Sequence, residues 1–268
     1  MKREKGITLA GLLLALGMAC TSTAGVSVTG GLTYEHQLLP GETGRGTIHL
    51  RNTEPHHQAV SIYQTDYFHY CDGSTIYGEA GQDSRSNADW ITFSPRRLTI
   101  PPNGTARVHY AVTVPDNETL AGTYWSMMMI EGIASSPSIV TGDENTVGIR
   151  HLIRYGAQIR TRIGNTGTRK LKFLHAKLLN AGGESILQID LENIGERFLT
   201  PLVWVELFHR KHGSAGKFEG GRLGIYPAAS VRFRINLRRA TQGVYKALVV
   251  ADCGGDDLFG ATYTLQFE

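Results

Sequence analysis

Residues 121–131 read AGTYWSMMMIE, and residues 242–252 read QGVYKALVVAD. Each has a Gly, one free position, a Tyr and an apolar run that closes on an acid. The echo extends upstream. LTIPPNGTARVHYAVTVP (98–115) and LGIYPAASVRFRINL (223–237) share Leu-x-Ile, a Pro, a small residue, an Arg and an alternating stretch. TIHLRNTEPHHQAVSIY (47–63) and QIDLENIGERFLTPLVWVEL (188–207) share Ile-x-Leu-x-Asn, a turn and a β-branched run. The offset is 141 residues at Ile48/Ile189 and 121 at Tyr124/Tyr245, so the first copy carries an insertion. It falls largely in the Gly/Ser/Asp-rich segment CDGSTIYGEAGQDSRSNAD (71–89), which reads as a loop. A unit of about a hundred residues is too long for a solenoid repeat and reads as a duplicated domain.

The units are built of short runs that alternate or are β-branched and aromatic, such as SVTGGLTYEHQL, RGTIHLRN and ARVHYAVTV. Gly, Pro, Asn and Asp punctuate them, and no long segment has a helical period. The expected fold is all-β: two tandem immunoglobulin-like β-sandwich domains after a signal peptide. In such sandwiches a Tyr near the start of one strand bonds back across the preceding corner. Tyr124 and Tyr245 occupy that place, with Gly122 and Gly243 giving the tight backbone before them. The prolines at 101–102 and at 227 mark the turn before an earlier strand of each unit.

The chain has 268 residues, 41% apolar and 19% charged, enough for one or two domains with real cores. A net charge of +3 holds no dense basic patch, so nucleic acid is not an expected partner. MKREK followed by GITLAGLLLALGMA and Ser22-Thr23-Ala24 has the form of a secretory signal peptide, residues 1–24. That apolar run is too short to span a bilayer, and no later one is long enough. The expected location is periplasmic or extracellular, in the cell envelope. Cys20 follows a degraded lipobox, which makes a lipid anchor there the alternative to plain cleavage. Cys71 and Cys253 then remain, either as a disulfide tying the two halves or as separate buried thiols.

Between the units, VGIRHLIRYGAQIRTRI (147–163) keeps a period of two over an unusual length. Its even positions include Arg150, Arg154, Arg160 and Arg162, which would share one face of a long strand closing the first domain. NTGTRK (165–170) reads as the linker, giving domains at 25–165 and 166–268.

With these features the first domain resembles the amino-terminal domain of periplasmic pilus-assembly chaperones. The features that carry the resemblance are the signal peptide, the GETGRGTIHLRN strand pair, WITFSP (90–95) and the long last strand. It is equally similar to two-domain Gram-positive surface proteins that interact with WxL proteins. The chaperone resemblance implies that the last strand adds to an incomplete secreted or surface-assembly subunit, while a basic pair holds the subunit's terminal carboxylate. Arg154, Arg160 and Arg162 are the candidates for that role, with Arg150 on the same face. The first mature strand, GVSVTGGLTYEHQL, offers no Arg or Lys to complete the pair. The other reading of the arginines is a solvated face or a set of interdomain contacts. The alternative function is a surface structural or adhesive module binding cell-wall polysaccharide or a surface protein.

Nothing indicates an enzyme. No G-x-S-x-G, HExxH, Walker or dinucleotide fingerprint appears, and no cofactor is implied. His56-His57 and His209-x-x-His212 could suggest a soft metal, but isolated His on polar strands are expected to face solvent, so no metal is expected. Met127 and Met129 share a strand face and read as core. ADCGGDDLFGATYTL (251–265) reads as a hairpin turning at Gly254-Gly255 in preference to a calcium loop. NGT (103–105) and NET (117–119) read as turns.

Overall fold

The computed structural model describes residues 25–133, 153–181, 184–209, 213–238 and 242–267. The signal segment, Cys20, Arg150 and His212 lie outside them. Two immunoglobulin-like sandwiches follow one another, and among the described residues no strand ladder joins the part up to Ile163 to the part from Leu171 on.

The stretch read as one first strand is two. β1 (Val26–Thr29) pairs antiparallel with β3 (Thr43–Asn52) in one sheet. β2 (Thr33–Leu38) crosses to the other sheet and pairs parallel with β10 (Arg154–Ile163). The break falls at Gly30-Gly31, where Gly30 takes φ 96°, a value that side chains disfavour. The first sheet continues from β3 to β8 (Thr105–Thr113) and β6 (Ile91–Ser94). The second runs β2, β10, β9 (Gly122–Gly132) and β4 (Gln58–His69), with β5 (Thr75–Gly78) and β7 (Arg97–Ile100) attached to β4. Ile48, Leu50, Val108 and Val112 from one sheet meet Ile62, Met128, Ile130 and Ile159 from the other. Each such aliphatic chain contributes about 1.5–3 kcal/mol on burial. Met127 and Met129 are buried, as expected, but outside this core cluster, and Met127 packs over Gly156.

The second sandwich repeats the plan. β11 (Leu171–Ala181), β12 (Glu184–Asn193) and β15 (Ser230–Asn236) form one sheet. β14 (Gly213–Arg222), β13 (Leu202–His209), β16 (Gly243–Asp252) and β17 (Leu258–Phe267) form the other. β16 and β17 make the expected hairpin, with Gly254 and Gly255 at φ 84° and 61°.

The duplication is visible atom by atom. Asn52 and Asn193 close the shared Ile-x-Leu-x-Asn and are both fully buried. Asn52 Nδ2 donates to the carbonyls of His56, Ile100 and Pro101, and its Oδ1 accepts from the Glu54 amide. Asn193 Nδ2 donates to the carbonyls of Arg197 and Ile225, and its Oδ1 accepts from the Gly195 amide. The two backbone amides donate to Gly104 and Ala229, each just past the left-handed residue of a turn, Asn103 in one unit and Ala228 in the other. One amide side chain thus ties together the backbone of two separate segments in each unit.

The insertion at 71–89 is more than a loop. It contains β5 and a short 3₁₀ turn at Ala88–Trp90. Buried Asp66 organises it, accepting from the amides of Gly81 (3.2 Å) and Asp83 (2.9 Å) and from the Ser86 hydroxyl. Its end then pairs with β9: the Trp125 amide donates to the Arg85 carbonyl and the Asn87 amide to the Trp125 carbonyl.

Of the two readings of the cysteine pair the structure has the second: Cys71 and Cys253 are free thiols. Each is engaged separately. The Cys71 amide donates to the Ser230 hydroxyl at 3.0 Å, whereas Cys253 packs against the core of the second sandwich. Burial pushes the Cys253 thiol up to about 11.

Candidate functional site: the cleft between the sandwiches

β10 presents two faces. Ala157 and Ile159 enter the core of the first sandwich, and Ile163 joins a smaller cluster beside it. The alternate residues Gln158, Arg160 and Arg162 face the second sandwich, where Phe198, Tyr226 and Arg197 approach them. The alternation therefore places Arg160 and Arg162 between the domains.

An aromatic stack fixes the junction. Trp125 lies against Tyr226 with ring centroids 4.5 Å apart, and Tyr226 lies 4.7 Å from Phe198. Trp125 Nε1 donates to the Tyr67 carbonyl, and the Tyr226 hydroxyl donates to Gln158 Oε1, both at 2.8 Å. The Thr123 amide donates to the Glu196 carbonyl at 2.8 Å and the Phe198 amide to the Thr123 hydroxyl at 2.9 Å. Gly122 is needed here for a reason beyond its turn. A Cβ at that position would stand 2.2 Å from the Glu196 carbonyl oxygen, inside any permitted contact. Arg85 of the insertion adds an ion pair to Glu196 at 3.2 Å.

Arg160 closes the stack. Its guanidinium carbon lies 3.6 Å from the Phe198 ring centre and 5.4 Å from that of Tyr226, a cation–π arrangement. The residue is 8% exposed, and among the described residues its Nε has no hydrogen-bond partner. It makes no ion pair among the described residues. It borders a hollow of about 420 Å³ lined also by Tyr67, His69, Thr200 and Val231. Burial pushes the Tyr226 hydroxyl up from the ordinary tyrosine range, and the Arg160 charge opposes that shift.

A second hollow of about 150 Å³ lies beside it, bordered by Arg162, Arg169 and Arg197 together with Glu35 and Cys253. Arg162 Nη2 donates to Gln37 Oε1, while its buried Nε has no partner. A further cation, Arg197, reaches this hollow from the turn after β12. Sequence reading missed Arg197, although the 141-residue offset maps it onto His56, in the turn pinned by the buried Asn of each unit.

The arginines do not all converge. Arg154 stands at the exposed start of β10 and pairs with Glu131 at 2.8 Å. Hydrogen bonds from Arg154 and Tyr63 hold the Glu131 carboxyl below the usual carboxylate range. Arg150 lies outside the described residues.

Strand addition along the whole of 147–163 is corrected by the sheet. From Gln158 to Ile163 both edges of β10 are taken, by β9 and by β2. From Arg154 to Ala157 only β9 is alongside among the described residues. Exposed Leu32 and Ile153 flank this open stretch.

No protein-family model matches the chain, and no curated protein matches it. Among solved structures it is similar to the class 5 fimbriae chaperone CfaA, at 12% identity over 89% of this chain and 98% of that one, with a TM-score of 0.47. It is similar to a chain of the Salmonella enterica SafA pilin–SafB chaperone complex, at 13% identity over 91% and 98%, with a TM-score of 0.44. It is also similar to a chain of the Acinetobacter baumannii CsuC–CsuE chaperone–tip subunit complex, at 14% identity over 88% and 97%, with a TM-score of 0.43.

Proposed function

We propose that this chain is an exported, non-catalytic, chaperone-like binding protein that engages a secreted or surface-assembly subunit of fimbrial type by β-strand addition. The subunit's strand pairs with the open stretch Arg154–Ala157, and its terminal carboxylate enters the cleft at Arg160. Of the partner-binding candidates Arg150, Arg154, Arg160 and Arg162, Arg160 carries the reading. It is a nearly enclosed cation with an unpaired donor, bordering a hollow three residues beyond an open strand edge. Holding such a charge out of water without a counter-ion costs several kcal/mol. An incoming carboxylate offsets that cost through charge-assisted hydrogen bonds. Backbone pairing at the edge adds affinity with little demand on the partner's sequence.

The test is capture from a periplasmic extract by the full chain. Arg160→Gln should lower the yield of captured exported protein about tenfold or more, the worth of one charge-assisted contact. Arg154→Ala, at a solvated ion pair, should change it less than twofold. Undiminished capture by a folded Arg160→Gln protein overturns the proposal.

A further inference from the structure

The smaller hollow is cationic in a way that the larger one is not. Arg162 leaves β10 two residues after Arg160 on the same face, so the two side chains start roughly 7 Å apart. Arg169 arrives from the link between the sandwiches and Arg197 from the second one. Arg197 is 7% exposed and donates to the Asn165 side-chain oxygen at 2.8 Å. Burial first, and then the nearby charges of Arg169 and Arg162, hold the Arg197 guanidinium below the usual arginine range, with Asp257 opposing. Two acids are at hand: Asp257, already paired with Arg169, and Glu35, which is exposed. Three cations against two acids leave positive charge over, and the Arg162 Nε is a buried donor still unused. A hollow of about 150 Å³ has room for a carboxylate group and a few waters.

We infer that the cleft takes two carboxylates: the partner's terminal carboxylate at Arg160, and an acidic side chain of its last residue in the hollow of Arg162, Arg169 and Arg197. The partner recognised best is therefore a polypeptide that ends in Asp or Glu. This rests on the proposed function and adds the chemistry of the partner's end. The two carboxylates of a terminal Glu are separated by one side-chain length, which suits neighbouring hollows served by residues i and i+2 of one strand. The requirement for both charges is a source of selectivity, since a partner lacking one leaves a buried donor unpaired.

Four synthetic strand-forming peptides, ending in Glu or Gln and each made as free acid and as amide, test this by titration calorimetry on the full protein. The Glu acid should bind about tenfold or more tightly than the Gln acid. Arg162→Gln and, separately, Arg169→Gln should erase that difference. Equal affinity for Glu and Gln acids, with both amides weaker, overturns the second carboxylate and leaves the proposed function standing. Affinity indifferent to amidation overturns the terminal-carboxylate reading, and binding of none of the four contradicts both.

Discussion

The two sandwiches agree inside and differ at their edges. Asn52 and Asn193 hold corresponding backbone groups in each unit. At the edges the copies part. β14, outermost in its sheet, is interrupted by register shifts at Val203/Trp204 and Leu207/Phe208, with glycines at positive φ at 213, 216 and 221. Such irregularity blunts a strand edge against pairing. β10 has no shift in its ladder with β9, and its open stretch is flanked by exposed Leu32 and Ile153. The difference teaches that the duplicated residues specify the fold, while the proposed function draws on residues where the copies diverge: the β10 arginines and Arg197.

The sharpest way to break this comparison is to remove the shared pin. Asn52→Ala and Asn193→Ala each leave several buried backbone groups unpaired, so each should destabilise by about 3 kcal/mol or more. Urea unfolding measures both, and a neutral result in either unit would show that the two asparagines are not equivalent. Next come the paired glycines. Gly122→Ala meets the Glu196 carbonyl as well as an unfavourable φ of 82°, so a loss of about 2–3 kcal/mol is expected. Gly243→Ala has its nearest neighbour at 3.4 Å and a φ of 149°, so only about 1 kcal/mol should be lost. Equal melting points for these two proteins would remove the second sandwich's contact as the distinguishing cause.

The alternation, the duplication and the turns before β8 and β15 were legible because each is a local pattern in the chain. The strand switch at Gly30-Gly31 was not, because a pair of glycines inside an alternating run does not say which sheet each half joins. The cationic cleft was half legible. Arg160 and Arg162 stand out by alternation along one strand, but Arg169 and Arg197 reach them only through the packing of one sandwich on the other. The state of the cysteines was left open for a similar reason: spacing of 182 residues between Cys71 and Cys253 says nothing about where either thiol is packed.

Smaller effects sharpen the contrast. Arg154→Ala, at an exposed ion pair, should cost less than about 1 kcal/mol. A reductant should leave the melting point unchanged, because no bond ties Cys71 to Cys253, and a reductant-induced drop would restore the disulfide. The folded state disfavours ionised Cys253. This group should therefore leave stability untouched below about pH 9 and reduce it as the pH rises towards about 11. Alkylation of Cys253 in the folded protein should quicken over that same range.

Backbone hydrogen exchange, residue by residue, with and without the tightest-binding peptide tests the assignment of the working edge. The account predicts slowed exchange at the amides of Arg154–Ala157 that point away from β9, with β14 unchanged. Protection along β14, or none at 154–157 while the peptide is bound, would contradict it.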